Sequence, residues 1–123
     1  MFVVVLDDDM EGGVPVDADC IFCKIISQEI PTELLLAFRD INPEAPTHLL
    51  VIPKKHIASV SELTDDDQLI MGEVMLAIRD LAEKEQLNQG YRVVVNTGTH
   101  GGQTVRHLHF HLLGGRSLQW PPG

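Results

Sequence analysis

Apolar and polar residues alternate strictly over Arg106-His107-Leu108-His109-Phe110-His111-Leu112. A period of two marks a strand with one face buried. The pattern predicts that Leu108, Phe110 and Leu112 enter a core, while His107, His109 and His111 line the opposite face. A helix would scatter the histidines around its circumference. Residues 48–53 form a mostly apolar strand ending at proline. Residues 37–40 and 91–95 read as shorter strands. Asn42-Pro43-Glu44-Ala45-Pro46 is a turn, and residues 97–103, rich in glycine, form a loop leading into the histidine strand.

The helical period appears twice. Thr64-Asp65-Asp66-Asp67 is a helix start, with threonine as cap and the aspartates at the positive end of the dipole. Ile70, Val74, Ala77, Ile78 and Leu81 then mark one apolar stripe, which Met71, Met75 and Ala82 widen. Asn88-Gln89-Gly90 is the predicted end. Residues 20–30 read as a short helix with Asp19 as cap and Pro31 beyond its end. Residues 1–17, acidic and carrying Gly12-Gly13 and Pro15, read as a loose extension, although residues 2–6 have the composition of an edge strand. These elements predict an α+β fold over residues 18–123. It consists of an antiparallel sheet of about five strands with one short and one long helix.

At 123 residues the chain is sized for one domain. A net charge of −9 excludes the basic stripe that sequence-independent nucleic-acid binding needs. A local pocket of imidazoles and amides can still hold a small nucleotide. The apolar run at residues 1–6 is too short to span a membrane, and no basic segment precedes it. The expectation is a cytoplasmic protein, nuclear also by diffusion. Cys20 and Cys23 form Cys-x-x-Cys, which in such a chain suggests metal or redox chemistry more than a structural disulfide.

Three imidazoles on one face suit two kinds of chemistry. They can bind a transition metal. They can also handle a phosphate, one attacking phosphorus while the others donate hydrogen bonds.

The motif and its surroundings resemble a known family. His-x-His-x-His followed by two apolar residues is similar to the signature of the histidine triad (HIT) superfamily of nucleotide hydrolases and transferases. Residues 113–116 (Leu-Gly-Gly-Arg) and Trp120-Pro121-Pro122-Gly123 resemble its Hint branch. So do residues 45–56, residues 90–96 and Gly101-Gly102-Gln103-Thr104-Val105. The resemblance runs from about Asp19 to Gly123. It implies a HIT-like fold that dimerises into a continuous sheet. It also implies hydrolysis of purine nucleoside phosphoramidates to the nucleoside 5′-monophosphate through a covalent histidyl-nucleotide intermediate, with no cofactor required.

By the same resemblance His109 is the nucleophile, with the His111 backbone carbonyl as a candidate to orient it. The His111 side chain would contact the phosphate or leaving atom, with His107 behind and Thr104 donating a hydroxyl. Gly102 and Gln103, in the loop from Gly101, would offer backbone amides to phosphate oxygens, and Asn96 would hold the phosphate or ribose side. Asp40 would accept hydrogen bonds from the ribose. Phe22, Ile25, Phe38 and Ile41 match positions lining the nucleobase cleft. The expected ligands are AMP, GMP and their phosphoramidates.

Cys20, Cys23, His48 and His107 have the composition of a closed Cys₂His₂ zinc site, and relatives in the superfamily ligate zinc at similar positions. His56 and His100 read as loop residues without a role. Close relatives carry about six more residues before Leu36, so an edge strand there is expected to be short or missing. Two other functions compete. One is dinucleoside polyphosphate hydrolysis, which the tail disfavours. The other is nucleotide-dependent regulation with weak catalysis.

Overall fold

The computed structural model describes Val5–Leu6 and residues 34–123. The predicted short helix, Cys20, Cys23, Phe22 and Ile25 lie outside them, as does most of the predicted N-terminal extension. Five strands form one sheet: β1 (Val5–Leu6), β2 (Leu35–Arg39), β3 (Thr47–Pro53), β4 (Tyr91–Val94) and β5 (Phe110–Gly114), in the order β1-β2-β3-β5-β4. The last four are antiparallel.

Strand β1 departs from the expected antiparallel sheet. It pairs parallel to β2, Val5 with Ala37 and Leu6 with Phe38. A parallel pair needs a long crossover, which the intervening chain is long enough to supply. The shortened segment before Leu36 does not damage β2. Leu35 through Arg39 pairs residue by residue with Pro53 through Leu49.

The long helix α1 (Gln68–Lys84) covers one face of the sheet. Leu35, Ala37, Leu49, Val51, Phe110 and Leu112 meet Val74, Ala77, Ile78, Leu81 and Ala82 in one buried cluster. The alternation within strands and the stripe on the helix therefore meet as predicted. Met75 does not join them. It is 50% exposed, on the outer side of α1. The start of α1 is also more elaborate than predicted. Thr64 and Asp67 form a capping box around a 3-10 turn (Asp65–Asp67), from which α1 continues. The helix stops before Gly90, because Gln86 takes a left-handed φ of 59° and the Leu87 amide donates back to the Ala82 carbonyl.

Asp67 is nearly inaccessible, and Lys55 Nζ donates to it at 2.7 Å. That hydrogen bond, helped by the Thr64 amide, holds its carboxyl below the ordinary carboxylate range. The contact ties the segment after β3 to the start of α1. On the other flank, Arg39 pairs with Glu85 at 3.0 Å, joining β2 to the end of the helix.

Strand β5 begins later than the alternation predicts. Its ladder with β3 ends at Val51 opposite Phe110. Two residues further along β3 is Pro53, which has no N–H to donate. Residues 107–109 leave the ladder there, and the Leu108 amide donates to the Ile57 carbonyl at 2.6 Å. Leu108 stays buried, so the two-residue alternation of side chains persists outside the strand.

Candidate active site

His48 and His111 lie on the sheet face opposite α1. His111 sits opposite Leu50, two residues along β3 from His48, so the two are diagonal neighbours. Their rings are 5.1 Å apart, and His48 Nε2 is 2.9 Å from His111 Nδ1. The ring of His109 lies 5.1 Å from that of His111.

Hydrogen-bond partners assign the tautomers. The Glu44 amide donates to His48 Nδ1 at 3.0 Å. In the neutral ring the hydrogen of His48 is therefore on Nε2, and it donates to His111 Nδ1. His111 must then carry its hydrogen on Nε2. That atom is buried and has no partner among the described residues. A backbone amide thus fixes, through two imidazoles, one unspent N–H donor. Burial lowers the pKa of His111 to about 4, with the neighbouring His109 and His48 adding to the shift and Asp40 opposing it. His111 is neutral near pH 7.

His109 is buried, and its Nδ1 lies 2.6 Å from the His107 carbonyl. A carbonyl only accepts, so Nδ1 carries the hydrogen and Nε2 the lone pair. The orienting carbonyl is that of His107, not that of His111 as expected. His107 is fully buried, and its Nε2 donates to the Pro53 carbonyl at 2.8 Å. Its Nδ1 accepts from His56 Nδ1 at 3.2 Å. Burial, foremost, pushes the His107 pKa down. His56, a loop residue with no predicted role, belongs to this cluster. It stands outside the alternating motif, and only folding brings it to His107.

Asp40 stands beside the histidines. Its Oδ1 accepts from the Asn42 amide at 2.8 Å, and its Oδ2 lies 3.6 Å from His48 Nε2. Asp40, His48 and His111 bring one donor atom each within 4.8 Å of one another. The Glu44 amide disfavours a metal there, because it keeps the hydrogen on the nitrogen that a metal would need. Of the predicted zinc ligands, His48 meets the Glu44 amide and His111, and His107 meets the Pro53 carbonyl and His56, while Cys20 and Cys23 lie outside the described residues. Phe38 is buried in β2, whereas Ile41 is 71% exposed.

The glycine loop is braced by Gln103. Its Oε1 accepts from the Gly98 amide, and its Nε2 donates to the Ala58 and Val105 carbonyls. Its side chain is thereby committed to the protein, leaving the backbone as its route to a ligand. Gly102 has a φ of +84°, which suits glycine. Thr104 is exposed and Asn96 half-buried at the two ends of this loop, and His100 is exposed within it.

A geometry of this kind has counterparts. The HIT domain model matches residues 27–118. The chain belongs to the HIT family. It is 54% identical over 111 residues to a HIT-like protein of Synechococcus elongatus, spanning 85% of this chain and 97% of that one. Among solved structures, a HIT family hydrolase of Legionella pneumophila superposes with a TM-score of 0.81 at 50% identity, covering 85% of this chain and 100% of that one. A histidine triad protein of Clostridium difficile gives 0.76 at 44% identity, covering 82% and 94%. A histidine triad nucleotide-binding protein of Candida albicans gives 0.68 at 35% identity, covering 83% and 81%. As a HIT family member, the chain is a hydrolase-like protein with an α+β fold. No helix among its described residues is long and apolar enough to cross a membrane.

Proposed function

We propose that this HIT protein hydrolyses purine nucleoside 5′-phosphoramidates, the chemistry of the Hint branch. The observation that carries the reading is the His109 Nδ1 contact with the His107 carbonyl at 2.6 Å. In the uncharged ring it leaves the lone pair on Nε2, as a nucleophile requires. Nε2 attacks the α-phosphorus, the P–N bond breaks, and the amine leaves with a proton taken from water. The imidazole of the histidyl-nucleotide is cationic, and the same carbonyl stabilises it through Nδ1–H. Water then attacks phosphorus, the N–P bond breaks, and the nucleoside monophosphate departs while the water's proton passes to solvent.

The His111 Nε2–H is the donor for charge building on the phosphoryl oxygens or leaving atom. Its low pKa makes it a hydrogen-bond donor, not a proton source. Asp40, 3.6 Å from His48 Nε2, is suited to ribose hydroxyls, and Phe38 to one wall of the base cleft. Thr104, Asn96 and the Gly102 amide complete the proposed phosphate side. AMP and GMP are the expected products. The regulatory alternative drew on a short or missing edge strand beside Leu36; against it, β2, which carries Phe38, pairs along its whole length with β3.

The test is AMP release from adenosine 5′-phosphoramidate by the wild-type protein and by His109→Ala. Turnover lost in the variant is expected. Absence of turnover in folded wild type would overturn the reading. Homodimer formation belongs to the same proposal. Leu69, Met75 and Leu76 on α1 and Tyr91 at the β4 edge are exposed, and solution mass reads the outcome. Zinc on Cys20, Cys23, His48 and His107 is a separate proposal, decided by metal content in the wild type and in Cys20→Ser/Cys23→Ser.

A further inference from the structure

His56 follows Lys54-Lys55 in the exposed segment after β3. Its Nδ1 is 3.2 Å from His107 Nδ1, and the two rings meet edge to face at 4.9 Å and 85°. His107 has no exposed surface, and its Nε2 hydrogen is committed to the Pro53 carbonyl. Its Nδ1 is therefore a buried lone pair, which is costly unless a donor meets it. His56 Nδ1–H is that donor. The peptide carbonyl of the same His107 accepts Nδ1–H from His109. Residue 107 is thus held at both nitrogens of its ring, and its carbonyl selects the tautomer of the next histidine in the motif.

The segment that presents His56 is itself anchored on both sides. Lys55 is tied to the inaccessible Asp67 at 2.7 Å. The carbonyl of the buried Ile57 accepts from the Leu108 amide at 2.6 Å. An exposed residue between two fixed neighbours loses little entropy in making a directed hydrogen bond.

We infer that His56 is a positioning residue for the nucleophile, acting on His109 through the ring and carbonyl of His107. The inference rests on the reading of His109 as nucleophile. Loss of the His56 donor removes the bond that favours the lone pair on His107 Nδ1, and so weakens the preference for the tautomer that holds the Pro53 contact and the position of the carbonyl. His109 then populates both tautomers, and only one presents a lone pair from Nε2.

The test compares His56→Ala, His56→Gln and His56→Asn. The asparagine amide nitrogen can replace imidazole Nδ1, whereas that of glutamine replaces Nε2. Because His56 is exposed, all three variants are expected to fold. For adenosine 5′-phosphoramidate, kcat should fall about tenfold in the alanine and glutamine variants, as for one lost neutral hydrogen bond, with KM little changed. His56→Asn should stay within about threefold of wild type. Nitrogen-15 spectra of the imidazoles supply a second readout. His109 should show protonated Nδ1 and bare Nε2 in wild type and His56→Asn, and a mixture in His56→Ala. Wild-type kcat and an unchanged His109 spectrum in His56→Ala would overturn the inference. So would an equal loss in His56→Asn. If the wild type does not turn over, the hydrolase reading fails on its own account, and the His109 spectra still decide the role of His56.

Discussion

Acidification should cost this protein stability through one identifiable ring. The pKa of His111 is lowered from 6.5 to about 4, mainly because burial penalises the cation. The folded pKa lies below the unfolded one, so the unfolded chain binds more protons between those values. Stability is therefore full above about pH 6.5, falls as pH drops through the window, and loses nothing further from this group below about pH 4. At about 1.4 kcal/mol per pH unit the loss approaches about 3 kcal/mol. That is a large share of the 5–15 kcal/mol that holds a typical domain together, roughly. His107, with its pKa lowered in the same direction, adds to the loss.

Urea denaturation of wild type and His111→Gln at several pH values between 7.5 and 4.5 isolates the effect. Carboxylates such as Asp67 titrate in both proteins and cancel in the difference. The advantage of wild type over the variant should shrink by roughly 2–3 kcal/mol across that range. A difference that stays constant would refute the assignment of His111 as a half-buried neutral imidazole. The uncharged donor role proposed for its Nε2–H would fall with it.

Other consequences can be checked more simply. Leu112 is fully buried between β3, β4 and α1, so Leu112→Ala should cost about 2–5 kcal/mol in urea denaturation. A Cβ at Gly101 would collide with the Thr97 carbonyl oxygen. Gly101→Ala should therefore deform the loop before Thr104 and lower turnover, with retained tertiary structure read by near-ultraviolet circular dichroism. His48→Gln keeps an N–H near the position of Nε2, whereas His48→Leu removes the donor to His111 Nδ1. Turnover should fall about tenfold further in the leucine variant than in the glutamine one, and equal losses would contradict the relay. Gly115 has a φ of +94°, and a Cβ there would approach Pro46 Cβ at 2.8 Å. Gly115→Ala should lower the melting temperature, as a strained backbone position does.

What could be read from sequence alone was whatever depends on residue spacing within a segment. Alternation placed Leu108, Phe110 and Leu112 in the core. The helical stripe placed Val74, Ala77, Ile78 and Leu81 against the sheet, and both periods follow from backbone geometry independent of partners. The family was legible for a related reason, since its motif is a contiguous run of chemistry-bearing residues. Tertiary structure decided everything that depends on pairing. The parallel β1 needs a partner 32 residues away in register. Strand β5 starts late because Pro53, in another strand, cannot extend the ladder. Met75 is outside because the sheet reaches only part of the helix circumference. The sharpest case is the histidine cluster. The motif supplies three imidazoles, but tautomers are set by hydrogen-bond partners from elsewhere: the Glu44 amide through His48 for His111, and Pro53 and His56 for His107. A local pattern names the groups that can react, and only the fold determines which nitrogen of each carries the proton.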